Sequence, residues 1–452
     1  MAEAIATGHL AAKMVRIGPM ATRNIQLDRR MLLAGLGLAT MRPILRPAKA
    51  QTAPTVVLAA KPDTIALRPD ALATPVWSLT GPWPDLEQPT NLTVEFLSEL
   101  PVPAVLSWRG VDGASAAQPL LARLPLSRDG TDRFELPLYR PGTFLCDLGL
   151  IGDSQDRPRR GQPLIVRESQ PLAVDRDETL LVEEWRLRTD GTAIAPAVDP
   201  RETTPFYTLN GKSSLDITAR SNARLRLRFI NGSHRTIVGL KLESLAVRVM
   251  AIDSQPAEPF LARNGALVVA PGGRVDILVD LAASAGSAFP ILLHDGRQVR
   301  QIGRLVVTND AAARAAPLPP APPLPSNGLP ATLDLKNALR VDLALGGPVW
   351  IAPTAFTPSA APAFRAKAGR TVVLALANRA DKTSVFHLHG HHFRLLDRLD
   401  DGWKPFWLDT LAIEPGQTQR IAFAAQHAGR FLMEAVAADW AAPRLVQWYA
   451  VE

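Results

Sequence analysis

The sequence predicts an all-β protein of about three domains, built as sandwiches or barrels. Short runs that alternate polar with apolar residues or are rich in Val, Ile and Leu recur along it, and no long helical period appears. Pro and Gly, 40 and 30 residues respectively, punctuate those runs. A length of 452 residues gives each of three domains enough chain for its own core.

Residues 1–50 read as a targeting segment. Arg29-Arg30 stands before the apolar run 31–39 (MLLAGLGLA), and Ala48-Lys49-Ala50 places small residues at the spacing of a cleavage site. This is the pattern of a twin-arginine signal peptide, which implies delivery to the periplasm and a mature chain beginning near Gln51. The stretch before Arg29 is long for such a signal, so Met14 or Met20 is an alternative start to Met1. The apolar run is about half a membrane span and is diluted by Gly35 and Gly37, which predicts no transmembrane anchor.

Along the body, residues 224–230 (RLRLRFI) alternate polar with apolar. Residues 266–270 and 275–279 flank the turn Pro271-Gly272-Gly273, and residues 371–376 (TVVLAL) form another β-rich run. Residues 309–331 (NDAAARAAPLPPAPPLPSNGLPA) read as a semi-rigid, largely polyproline-II connector rather than part of a core, and a connector this long suggests that the last domain docks away from the second.

Four of the eight histidines crowd into residues 387–392, and His387, His389 and His391 alternate. On a strand that spacing puts three imidazoles on one face, the way a β-sandwich presents ligands to copper or zinc, or the remnant of such a site.

Composition removes other classes. The formal charge is +7, but residues 1–50 carry eight basic residues against Glu3 and Asp28, a balance of +6 that leaves about +1 for the body. A near-neutral body gives no footprint for nucleic acid. A lone Cys146 excludes an internal disulfide and reads as a small buried thiol. No nucleophile elbow, phosphate loop or paired-carboxylate signal is present.

An ordered set of motifs carries a resemblance across nearly the whole mature chain. In the middle third stand Asp177-Glu178-Thr179, Glu184-Trp185, Leu209-Asn210-Gly211, residues 225–231 (LRLRFIN), Ala251-Ile252-Asp253 and residues 271–276 (PGGRVD). The last third has His387-Leu388-His389-Gly390-His391, Trp407-Leu408-Asp409-Thr410, Pro415-Gly416 and Gly429-Arg430-Phe431. Together they resemble the three cupredoxin domains of a multicopper oxidase. The resemblance implies three cupredoxin-like (plastocyanin-like) Greek-key β-sandwiches at residues 51–172, 173–312 and 333–452, with a Pro/Ala-rich linker at 313–332 and the third domain packed on the first.

The family's chemistry runs through a type 1 copper, held by a cysteine and two histidines, and a trinuclear cluster held by eight further histidines. After residue 50 only seven histidines remain. The first His-x-His falls on Ser107-Trp108-Arg109-Gly110, and the second pair, after a Gly-Thr-aromatic turn, falls within residues 142–149 (GTFLCDLG). The His-x-x-His-x-His pattern falls on Ser384, His387 and His389, so two cluster positions persist, and the third histidine of the run, His391, is not a copper ligand in the family. The His-Cys-His tripeptide falls on Glu434-Ala435-Val436, the following histidine on Trp440 and the axial position on Leu445.

The chain therefore looks similar to a copper-free, twin-arginine-exported branch of the superfamily whose known member supports the bacterial division septum. That similarity implies a non-catalytic periplasmic scaffold with an envelope protein as partner and no cofactor, and the chain is expected to be a monomer. The alternative is a residual site in which His387 and His389 hold a single copper or zinc with weak oxidoreductase activity. The resemblance also implies that Arg109, Asp147 and Glu434 stand where cluster histidines converge, and predicts a salt bridge between the first and third domains in place of the metal.

Overall fold

The computed structural model describes residues 53–149, 157–397 and 402–452, so the expected signal segment lies outside the described residues. Among the described residues the strands form six sheets, two in each of three successive stretches. In the first, a four-stranded sheet orders Thr74–Thr80, Thr55–Ile65, Thr90–Ser98 and Gly130–Leu138, and a three-stranded sheet orders Ser107–Arg109, Gly142–Asp147 and Gln162–Val166. Residues 176–307 form sheets of six and five strands, and residues 339–451 sheets of four and five. The opening strand of each stretch pairs in parallel with a later one: Thr55–Ile65 with Thr90–Ser98, Arg176–Leu187 with Arg224–Asn231, and Leu339–Ala344 with Thr371–Ala377. A crossover repeated three times marks one architecture used three times.

Apolar side chains of each pair of sheets meet in one core. Leu58, Val94 and Phe96 face Phe144, Cys146 and Leu164 in the first; Leu227, Phe229 and Ile277 face Leu240, Ile291 and Leu305 in the second; Leu374 and Phe423 face Phe386, Phe431 and Tyr449 in the third. The first sandwich touches both others. Leu145 packs on Leu181 and Ile230, while Val105, Leu120 and Leu121 pack on Leu432, Val446 and Trp448.

Two expectations change in the structure. The connector does not stand apart from the cores, because its spaced leucines find apolar pockets: Leu324 packs with Met250 and Leu278, and Leu329 packs against the cluster of Leu333, Val373 and Trp407. The alternating strand Arg224–Asn231 is buried on both faces. Its arginines lie at the seam with the first sandwich, where Arg226 grips Glu168 at 3.0 and 2.8 Å, Arg228 grips Asp177 at 2.6 and 2.7 Å, and Asp276 bridges the two arginines at 2.7 and 3.0 Å. Bidentate pairing makes their burial tolerable.

Candidate functional site

The strand Ser384–Leu388 lies between Thr410–Ile413 and Gly429–Ala437, with His387 opposite Glu434. Phe386 and Leu388 point into the third core. Because side chains alternate, Val385 and His387, with Val436 and Glu434 beside them, face the other way into a cavity of about 40 Å³ where the three sandwiches meet. Arg109 enters from the strand Ser107–Arg109 and crosses the second sandwich's turn at Gly272. Gly272 has φ +82°, and a Cβ there would stand 2.8 Å from Cδ of Arg109, so the turn suits glycine twice over.

At the end of that path Arg109 Nη2 donates to Glu434 Oε2 at 3.0 Å and Nε donates to Asp147 Oδ2 at 3.3 Å. Arg444 donates to the same Glu434 oxygen, and His389 Nε2 lies 2.7 Å from Oε1. Asp147 is fixed in turn by the backbone N–H of Gly149 at 2.6 Å. The structure thus brings Arg109, Asp147, Glu434 and His389 into one cluster, with His387 on the same cavity wall. Arg444 was missed from sequence; only its register opposite Val436 on the strand Arg444–Val451 puts it there.

Electrostatics follow from burial and pairing. Burial would raise the Glu434 carboxyl, but the Arg109 and Arg444 charges and the His389 bond hold it well below the usual range. Arg109 is stabilised as a cation by Glu434 and Asp147 against the same desolvation. His387 is pushed down to about 3 by burial, then by the Arg109 charge, and is therefore neutral. Thr410 Oγ1 donates to Asp409 Oδ1 at 2.7 Å, so it accepts from His387 Nδ1 at 2.9 Å and leaves His387 Nε2 a bare lone pair. His389 donates from Nε2 to the ionised Glu434, and neither His387 Nε2 nor His389 Nδ1 has a hydrogen-bond partner.

His391 does not join the other two. The strand ends at Leu388, and Gly390 at φ +76° turns the chain so that His391 packs among Phe423, Phe431 and Tyr449, donating Nδ1–H to the Tyr449 hydroxyl at 2.7 Å. The alternation in the sequence overran the strand. His387 and His389 remain adjacent, their ring centroids 4.6 Å apart.

Multicopper chemistry requires a thiolate and many imidazoles, and the residues present do not fit that set. Cys146 is fully buried between Trp108 and Gln162 in the first sandwich, and desolvation raises its thiol well above the ordinary value. Among the described residues no group of three or more His, Cys, Asp or Glu side chains is arranged for a metal ion. Two guanidiniums, Arg109 and Arg444, occupy the junction and balance the two carboxylates, Glu434 and Asp147, that face them.

The fold is that of the multicopper oxidases, with cupredoxin-like domains. Residues 332–451 match the family described as Multicopper oxidase. A multicopper oxidase from Pseudomonas thermotolerans superposes with a TM-score of 0.75 at 24% identity, over 89% of this chain and 100% of its own. Lac15, from a marine microbial metagenome, gives 0.71 at 22%, covering 88% and 100%. The multicopper oxidase McoA from Aquifex aeolicus gives 0.68 at 16%, covering 88% and 96%. No curated protein matches the sequence.

Proposed function

We propose that this protein is a non-catalytic, copper-free scaffold or binding protein on the multicopper oxidase fold, exported to the periplasm in folded form, with an envelope or division-septum protein as its partner. One observation carries the reading: at the junction where the resemblance puts a trinuclear cluster, Arg109 pairs with Glu434 and Asp147. The paired Arg109 guanidinium, with Arg444 beside it on Glu434, balances the charge of that junction without metal. The lone thiol, buried in the first sandwich, offers no entry for electrons.

Copper loading of the mature protein tests this, with metal analysis, an absorption spectrum and a phenol-oxidation assay. The expected result is less than one copper per chain, no blue thiolate-to-copper band and no phenol oxidation. Full occupancy with a blue band and oxidase turnover would overturn the reading. For the export route, changing Arg29 and Arg30 to Lys should leave the precursor in the cytoplasm; undiminished periplasmic protein would refute it.

A second reading is favoured by the bare nitrogens of His387 and His389, which suit one copper or zinc ion. In the same loading experiment that reading predicts one bound ion, lost in the His387→Ala/His389→Ala variant together with function.

A further inference from the structure

His392 sits deep in the molecule at 3% exposure, and both of its ring nitrogens face acceptors. Nδ1 lies 2.7 Å from Asp112 Oδ1, and Nε2 lies 2.7 Å from the backbone carbonyl oxygen of Asp253. A carbonyl carries no proton to give. Asp112 is a carboxylate, since Arg140 Nη1 donates to its other oxygen at 2.5 Å. Only an imidazolium has two N–H groups. A neutral ring would set one nitrogen lone pair against an oxygen lone pair at 2.7 Å. The Gln255 amide nitrogen, 3.2 and 3.5 Å from the two ring nitrogens, is nearly equidistant from both and so lies over the ring face, leaving the in-plane positions to the two acceptors.

Charge counting gives the same answer. The buried cluster around this ring holds three carboxylates: Asp112; Asp409, whose Oδ2 is 3.7 Å from Nε2; and, behind the accepting carbonyl, Asp253, whose carboxylate lies 3.6 Å from Arg274 and accepts the backbone N–H groups of Arg274, Asp409 and Thr410. The facing guanidiniums are two, Arg140 on Asp112 and Arg274 on Asp409. The other nearby titratable groups are His391, neutral by its hydrogen bonds, and the half-buried His427. An imidazolium at His392 brings the set to balance.

The position gives that charge a mechanical role. Asp112 belongs to the first sandwich, Asp253 to the second and His392 to the third. The connector closes over them: Asn327 Nδ2 donates to Gln255 Oε1 at 3.1 Å and to the Ser254 carbonyl at 3.2 Å, and Leu329 and Pro330 line the same wall as Asp112, His391 and His392, with no water-sized space left.

We propose that His392 is a buried imidazolium that pins the three sandwiches and the connector together, and that its deprotonation as pH rises releases the pin. A neutral His392 keeps one of the two bonds and leaves a carboxylate uncompensated in a dry site, a costly state. Burial opposes the charge, but Asp112 reverses that effect and raises the histidine above its ordinary value. The stabilisation is therefore complete below a pH of about 6.5 and is lost as pH climbs through the folded-state value. Asp253, raised to about 6 by burial and Asp409, loses stability in the same direction but at lower pH. The inference uses none of the former copper positions and stands whether or not the copper-free reading holds.

Long-range ¹H–¹⁵N NMR of the mature chain with labelled histidine is the test. At pH 7, one of the seven histidines should show both nitrogens protonated; its signal should be absent from His392→Gln and should titrate above the ordinary histidine value. Hydrogen exchange in residues 321–330 and 112–113 should accelerate over that same pH range in the wild type, whereas His392→Gln should exchange fast throughout. If His392→Gln does not fold, Asp112→Asn serves instead, with the midpoint falling by about one pH unit or more. A neutral His392 tautomer at pH 7, a midpoint unmoved by Asp112→Asn, or matching exchange profiles in wild type and variant would overturn the proposal.

Discussion

Arg109 and Arg365 are both ion-paired arginines, yet their surroundings give them different weight. The Arg109 side chain is 4% exposed against a Glu434 at 2%, whereas the Arg365 and Glu452 side chains are 58% and 60% exposed. Removing one partner of a buried pair strands the other charge. Arg109→Ala should therefore cost roughly 3–5 kcal/mol in denaturant unfolding, while Arg365→Ala should cost at most about 1 kcal/mol. Equal losses would show that the junction cluster is solvated. Glu434 adds a pH signature. Its depressed carboxyl contributes stability that is present above the unfolded value of about 4.5 and is lost as pH falls through the folded value. Without Arg109 part of that contribution is already gone, so the gap between wild type and Arg109→Ala should narrow in acid; a gap constant from pH 7 to pH 3 would contradict the pairing.

At the scale of elements, the seam between the first two sandwiches depends on arginines of the strand Arg224–Asn231. Arg228 and Asp276 share a bond at 3.0 Å and both reach Thr143 of the first sandwich. A double-mutant cycle on Arg228→Ala and Asp276→Ala should return a coupling of about 0.5–3 kcal/mol, and additive losses would mean that the two do not act as a unit. Gly390 ends the histidine strand where a Cβ would meet Phe431 Cδ1 at 2.1 Å, at φ +76°. Gly390→Ala should cost more than the ~1 kcal/mol of a left-handed alanine, because overpacking adds about 1–3 kcal/mol; a wild-type melting temperature would refute this reading of the turn.

These elements also show what the sequence could tell. The alternation at 224–230 was enough to place a strand, since period two is a local property. Burial of its arginines was not legible, because Glu168, Asp177 and Asp276 lie some fifty residues away and no local pattern couples them. The histidine run was legible as a cluster but not as two environments, because a left-handed glycine breaks the period after Leu388. Arg109, Asp147 and Glu434 were singled out by family positions; Arg444 and His392 match no motif and owe their roles to register and packing.

At the scale of the whole molecule, the three sandwiches share polar seams as well as apolar ones. Arg274 of the second grips Asp409 of the third at 2.9 and 2.7 Å, Arg109 of the first holds Glu434 of the third, and Arg226 of the second holds Glu168, which follows the first. Interlocked this way, the sandwiches should unfold together. Calorimetry of the mature chain should show one transition, and Arg274→Ala should split it by freeing the third sandwich; three independent transitions in the wild type would contradict the interlock.

The central claim, that a paired guanidinium occupies the place of the copper cluster, is tested most directly by diffraction. Crystals of the mature protein grown with excess copper and measured at the copper edge should place the Arg109 guanidinium between Glu434 and Asp147, with no anomalous peak at the junction. A copper peak joining His387 Nε2 and His389 Nδ1, with Arg109 swung away from both carboxylates, would contradict it.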